Sequence, residues 1–177
     1  MVCEGLHRDL VAPLELCEAT RGKLLAILGR LTPGSWHARP TLGAWTVAEQ
    51  ADHLIRAEVG TSKMARRLIR GDFLGIARPP EARLYDSRLD SYPYGRLTAP
   101  VGLVPALRPM EQATEELEAV HRRFIEELRR FDGPDADALA SPDPATGEWF
   151  TLAGWVRLQA LHEEHHILQI QALVRVQ

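Results

Sequence analysis

Four stretches of this chain carry apolar residues at three- and four-residue spacing, and none shows the strict alternation of a half-buried strand. The clearest begins near Pro109 and runs through Met110, Ala113, Leu117, Val120, Phe124, Leu128 and Phe131. Proline suits a first helical turn, and Gly133-Pro134 stops the helix after Arg129 and Arg130. A second stretch opens at Thr46, where T-V-A-E forms a capping box with Glu49, and ends near Gly71. The earliest spans about Leu6 to Leu31, with Pro13 expected to interrupt it, and the last runs from about Thr151 to Val176. Four amphipathic helices of roughly 23 to 26 residues predict an all-α four-helix bundle, the natural way to bury four apolar stripes.

The connections constrain topology. Residues 71–108 contain Pro79, Pro80, Pro93, Pro100 and Pro105, with Gly71, Gly75, Gly95 and Gly102 among them, so they cannot form one helix. A helix of 25 residues is about 37 Å long, and about 11 extended residues cover that distance. The segment can therefore return along the whole bundle, which lets the second and third long helices run parallel. A connection this long is expected to hold a short helical turn or to cover a functional site.

At 177 residues the chain is read as one domain, residues 1–177, large enough to bury roughly 70% of its unfolded surface. The N-terminal MVCEGLHRDL carries charges where a signal peptide needs apolar residues, and no run reaches the ~20 apolar residues that span a bilayer. The expectation is a cytoplasmic protein without a membrane partner, in which Cys3 and Cys17 are free thiols. A formal net charge of -3 argues against a nucleic-acid partner.

Near the C-terminus, HEEHH matches the metalloprotease pattern H-E-x-x-H at His162, Glu163 and His166. At 100° per residue, His162 and His166 fall within about 20° of the inward face marked by Trp155, with Gln159 and Gln169 within about 40°. Glu163 falls about 80° away, where a solvated carboxylate is the ordinary reading, and His165 lies at the flank. Two inward imidazoles at i and i+4 point to a metal site; hydrogen-bonded core histidines are the alternative. The protease reading lacks its third ligand, because the longer H-E-x-x-H signature needs a glycine and a histidine where this chain has Gln169 and Ala172. A third ligand must come from upstream. His53 is the candidate: it lies on the border of the second helix's apolar stripe beside the small residues Ala57 and Gly60, a place where a histidine alone is usually a surface residue. Glu49, one turn earlier, is a candidate acceptor for its second ring nitrogen, in competition with its capping role. His7, His37 and His121 are read as surface or satisfied core residues.

These residues resemble the DinB superfamily of DinB/YfiT-like metalloenzymes. Trp45 followed eight residues later by His53-Leu54, in W-T-V-A-E-Q-A-D-H-L, looks like that family's first motif, and His162, His166, Gln169 and Ile170 look like its second. The resemblance implies an up-down-down-up bundle, commonly a homodimer, with a divalent metal held by His53, His162 and His166. Some members of the family are transferases or isomerases that use a low-molecular-weight thiol such as mycothiol or bacillithiol. The resemblance thus implies a small-molecule substrate and metal activation of thiol or water. The alternative is a non-catalytic, stress-associated metal-binding dimer. Imidazole donors suit zinc or nickel first, with iron or manganese as further expectations.

Overall fold

A computed structural model of the chain describes residues 4–39, 41, 43–94, 103 and 105–175. Cys3, Val176 and residues 95–102 of the long connection, about which the sequence raised expectations, lie outside them. The long helices are α1 (Arg8–Leu28), α3 (Val47–Ile69), α4 (Met110–Leu128) and α5 (Leu152–Arg175), with a one-turn helix α2 (Pro33–His37) between the first two. Two apolar clusters fill the bundle and fix its direction. One gathers Leu10 and Leu14 of α1, Ala65 and Leu68 of α3, Phe124 and Leu128 of α4, and Trp155 and Val156 of α5. The other gathers Leu24 and Leu28, Ala51 and Leu54, Ala113 and Leu117, and Ile167 and Ile170. The start of α1 therefore shares an end with the start of α5 and with the finish of both α3 and α4. This is the up-down-down-up order, with α3 and α4 parallel and residues 70–109 carrying the chain back between them.

Local details depart from the sequence expectations in three places. Pro13 does not interrupt α1: the helix runs through it, with Pro13 itself buried and Leu10, Leu14 and Cys17 packed on either side. One missing amide bond is outweighed there by continuous apolar packing. The turn α2 carried a legible signal, since Thr32 caps it through a bond from Ser35 N and Pro33 stands at its first position. Among the described residues three short strands also form where none was expected: β1 (Leu84–Tyr85), β2 (Ala140–Pro142) and β3 (Trp149–Thr151). Their order is β1-β3-β2, with β1 parallel and β2 antiparallel to β3. Two or three residues are too few for alternation to register in a sequence.

This small sheet seats α5. Thr151 Oγ1 accepts from Gly154 N at 2.9 Å and donates to Asp137 at 2.6 Å, holding the first turn of the helix in place. A Cβ on Gly154 would stand 2.3 Å from the Tyr85 carbonyl oxygen, so β1 packs this closely only against glycine.

The middle of the bundle holds buried charge. Arg21 of α1 meets Glu163 of α5 through two bonds, Nε to Oε1 at 3.1 Å and a terminal nitrogen to Oε2 at 2.7 Å, and meets Glu58 of α3 at 2.8 Å. Its remaining terminal nitrogen donates to the Leu117 carbonyl of α4. His121 continues the chain, bonding Glu58 at 2.6 Å and Glu18 at 3.0 Å. Burial opposes a charge on His121, yet the bond and charge of Glu58 hold its pKa above the ordinary value. Glu163 is thus not the solvated carboxylate that helical geometry suggested; it is 2% exposed, because an arginine from another helix meets it. His121 keeps its satisfied-core reading. Cys17 is a free, buried thiol whose pKa burial pushes well up, with Glu58 and Glu163 adding to the effect.

Two substitutions test these supports. Arg21→Met leaves Glu58 and Glu163 buried without their shared counter-ion and is expected to lower unfolding free energy by about 3–5 kcal/mol in urea titrations. Gly154→Ala forces β1 and the start of α5 apart and is expected to lower it by about 1–3 kcal/mol.

Candidate metal centre

The three histidines singled out in the sequence come together between α3 and α5. His53, His162 and His166 each bring one ring nitrogen into a group whose members lie within 4.8 Å of one another, and His165 is not among them. The Nε2 atoms of His53 and His162 are 3.2 Å apart. The rings of His53 and His166 lie 4.9 Å apart between centroids, and those of His162 and His166 lie 4.8 Å apart. His53 is buried at 5% exposure, well inside the border position its helix suggested, because α5 and the returning connection cover it.

Acceptors select which nitrogen faces the centre. His53 Nδ1 lies 3.0 Å from the Leu103 carbonyl oxygen, which can only accept, so Nδ1 carries the proton and Nε2 keeps its lone pair. His166 Nδ1 lies 3.2 Å from Oε1 of Gln50, an acceptor that acts in the same way. Neither acceptor was expected. Glu49, the candidate from the sequence, is occupied elsewhere: its carboxylate takes Thr46 N and Oγ1 in the capping box and an Arg39 nitrogen at 2.8 Å. Gln50 had a legible signal, standing three residues before His53 and therefore on the same side of α3. Leu103 had none, being 50 residues away along a proline-rich segment.

Aromatic rings wall the group. Trp45, just ahead of the α3 cap, lies 4.9 Å from the His53 ring and stacks parallel to His166 at 6.3 Å. This contact accounts physically for a tryptophan eight residues before the histidine. On the other side Tyr92 of the long connection stacks on His162 at 5.5 Å and on His165 at 5.0 Å. The connection therefore does cover the site, as its length suggested. Burial pushes the Tyr92 hydroxyl up to about 12, so it stays protonated. At Gly60 an added Cβ would meet nothing within 4 Å, in keeping with the space expected from small residues on that stripe. Gln159 is buried and bonded to Thr61, whereas Gln169 is exposed and bonded to His165.

The electrostatics favour neutral imidazoles. Burial lowers His53, and it holds His162 well below the ordinary value with help from His166, His53 and His165. Burial likewise pushes His166 down to about 3, aided by His53 and His165. Three neutral, converging nitrogen donors are what a divalent cation requires and what protons alone do not stabilise. His7 caps α1 by accepting from Asp9 N, and His37 is exposed. Among the described residues no helix is long and apolar enough to cross a membrane.

Comparison with known proteins agrees with this geometry. A family model of the DinB superfamily, whose members commonly bind metal, matches residues 16–170. The chain is also similar to a solved crystal structure described as TT2238, a four-helix bundle protein, with 26% identity and a TM-score of 0.61 over 91% of this chain and 97% of that one. No curated protein matches the chain.

A pH dependence follows from His166. Its folded pKa is depressed from 6.5 to about 3, so the unfolded chain takes up a proton that the folded chain refuses. This contribution to the stability of metal-free protein is present above pH 6.5 and is lost as pH falls towards 3. Thermal melts across that range are expected to fall more steeply for the wild type than for His166→Asn.

Proposed function

The chain belongs to the DinB superfamily, and we propose on that premise that it is a metal-dependent enzyme in which His53, His162 and His166 hold one divalent ion. The observation that carries this reading is the 3.2 Å approach of two imidazole nitrogens with no carboxylate between them. Nitrogens bound to one ion at about 2 Å stand roughly 3 to 3.4 Å apart in octahedral or tetrahedral geometry. Without an ion the same contact is a hydrogen bond in which His162 Nε2–H donates to the His53 lone pair, and an ion would take the place of that shared proton. Zinc and nickel suit this donor set first, followed by iron and manganese.

Each part of the chain has a role in this reading. His53 and His166 present Nε2 because Leu103 and Gln50 hold Nδ1, and His162 completes the face. A divalent ion held there supplies Lewis acidity, lowering the pKa of a thiol or water so that it can act as a nucleophile near neutral pH. Three neutral ligands leave coordination positions for substrate, and among the described residues no fourth His, Cys, Asp or Glu joins the group. That favours an enzyme over a closed, non-catalytic metal module. Trp45 and Tyr92 exclude water from the flanks and offer apolar walls to a small molecule, for which a low-molecular-weight thiol is the substrate we propose. Peptide hydrolysis is disfavoured because Glu163, the base of the H-E-x-x-H scheme, is held by Arg21 on the α1 side of its helix. Homodimeric assembly, common in the family, belongs to the same proposal.

Native mass spectrometry of protein purified without a chelating tag tests ion and assembly together. The expected result is one divalent ion per 19.8 kDa chain in a dimer. His53→Ala and His166→Ala are expected to lose the ion and His165→Ala to keep it. Glu163→Gln should keep it despite lower stability. A stoichiometric ion in His53→Ala, or peptide cleavage that Glu163→Gln abolishes, would overturn the assignment; a monomeric mass would reject the dimer alone.

A further inference from the structure

The residue before His53 is a fully buried carboxylate, and two of its partners, Ala106 and Arg108, lie on the connection that returns to α4. Asp52 Oδ2 accepts from Ala106 N at 2.7 Å and from Arg56 Nε at 2.6 Å, while Oδ1 accepts from Arg108 Nε at 2.5 Å. The Arg108 carbonyl in turn accepts from Trp36 Nε1 at 2.8 Å. A carboxylate with no exposed surface is costly to bury, and here two arginines and a backbone amide compensate it. Ala106 and Arg108 belong to the same short stretch as Leu103, whose carbonyl oxygen meets His53 Nδ1. One helical turn of α3 thus grips this stretch through two adjacent side chains, Asp52 and His53.

We propose that Asp52 is a positioning residue of the three-histidine site: it fastens Ala106 and Arg108 to α3 so that the nearby Leu103 carbonyl selects the Nδ1–H form of His53. This rests on the metal-site reading and adds to it how one ligand is oriented. The His53 ring could otherwise present either nitrogen to the centre, because among the described residues the Leu103 carbonyl is the group that bonds Nδ1. Arg56 and Arg108 both converge on the carboxylate, and Arg108 draws the connection from the far side. A purely structural clamp would hold the start of α4 without altering the histidine ring, and this difference makes the proposal testable.

The experiment uses the full chain with 15N-labelled histidine, first metal-free and then titrated with zinc. In the metal-free wild type, long-range proton–nitrogen correlation spectra are expected to show His53 protonated at Nδ1. Asp52→Asn preserves size but removes the charge and sets an amide nitrogen against donors. It is expected to convert His53 to a mixture of the two ring forms and to weaken zinc binding about tenfold or more. Arg108→Gln, which leaves α3 untouched, should shift both readouts in the same direction to a smaller extent, and it decides the question if Asp52→Asn does not fold. A folded Asp52→Asn, or in its place Arg108→Gln, with an unchanged His53 ring pattern overturns the proposal. If the ring pattern changes but the wild type binds no zinc, nickel, iron or manganese, the positioning role stands and the metal reading fails.

Discussion

The Arg21 guanidinium is the point on which the geometry of this bundle turns. One cation at the middle of α1 bonds carboxylates on α3 and α5 and a carbonyl on α4, so it touches every other long helix. Its consequence for the site is rotational. With Glu163 drawn towards α1, residues at 100° per position place His162 about 100° to one side and His166 about 60° to that same side, where α3 stands. His53 meets them there. The same network divides the H-E-x-x-H motif in space, since its acid is paired with Arg21 on the α1 side while its two histidines face His53.

Around the histidines, the fold supplies contacts from three distant parts of the chain. α3 provides His53 and Gln50, α5 provides His162 and His166, and the connection provides the Leu103 carbonyl and the Tyr92 ring. Such a connection lies across the bundle because parallel α3 and α4 require a chain that travels back along the full helix length. Topology and site are therefore linked: a short hairpin between these helices would leave His53 Nδ1 without its acceptor and His162 without its aromatic cover. The stretch is held down by polar anchors at Asp52 and Trp36, in keeping with a backbone too rich in proline to satisfy itself by helix formation.

Much of this was legible from the residues alone, and the reason is locality. The four long helices follow from apolar spacing and from the T-V-A-E cap, which depend on neighbours within a turn or two. That His162 and His166 share a face is fixed by their separation of four. The Trp45–His53 and His162–His166 motifs together carry the family resemblance, and the three ligand candidates they suggested do converge. The three short hydrogen-bonded strands at the foot of α5 and the helix running unbroken through Pro13 were not legible, because each depends on packing supplied by residues far along the chain.

The sequence by itself determined the helices, their apolar faces and which side of α5 its histidine pair occupies, since each is a property of one helix about its own axis. Only the tertiary structure decided that Glu163 is buried rather than solvated, that Gln50 and Leu103 rather than Glu49 hold the ring nitrogens, and that Tyr92 covers His162. Those outcomes rest on partners such as Arg21, separated from Glu163 by 142 positions. A polar group's environment is set by whichever complementary charge or hydrogen-bonding atom reaches it across the packed core, and helical periodicity carries no information about that pairing.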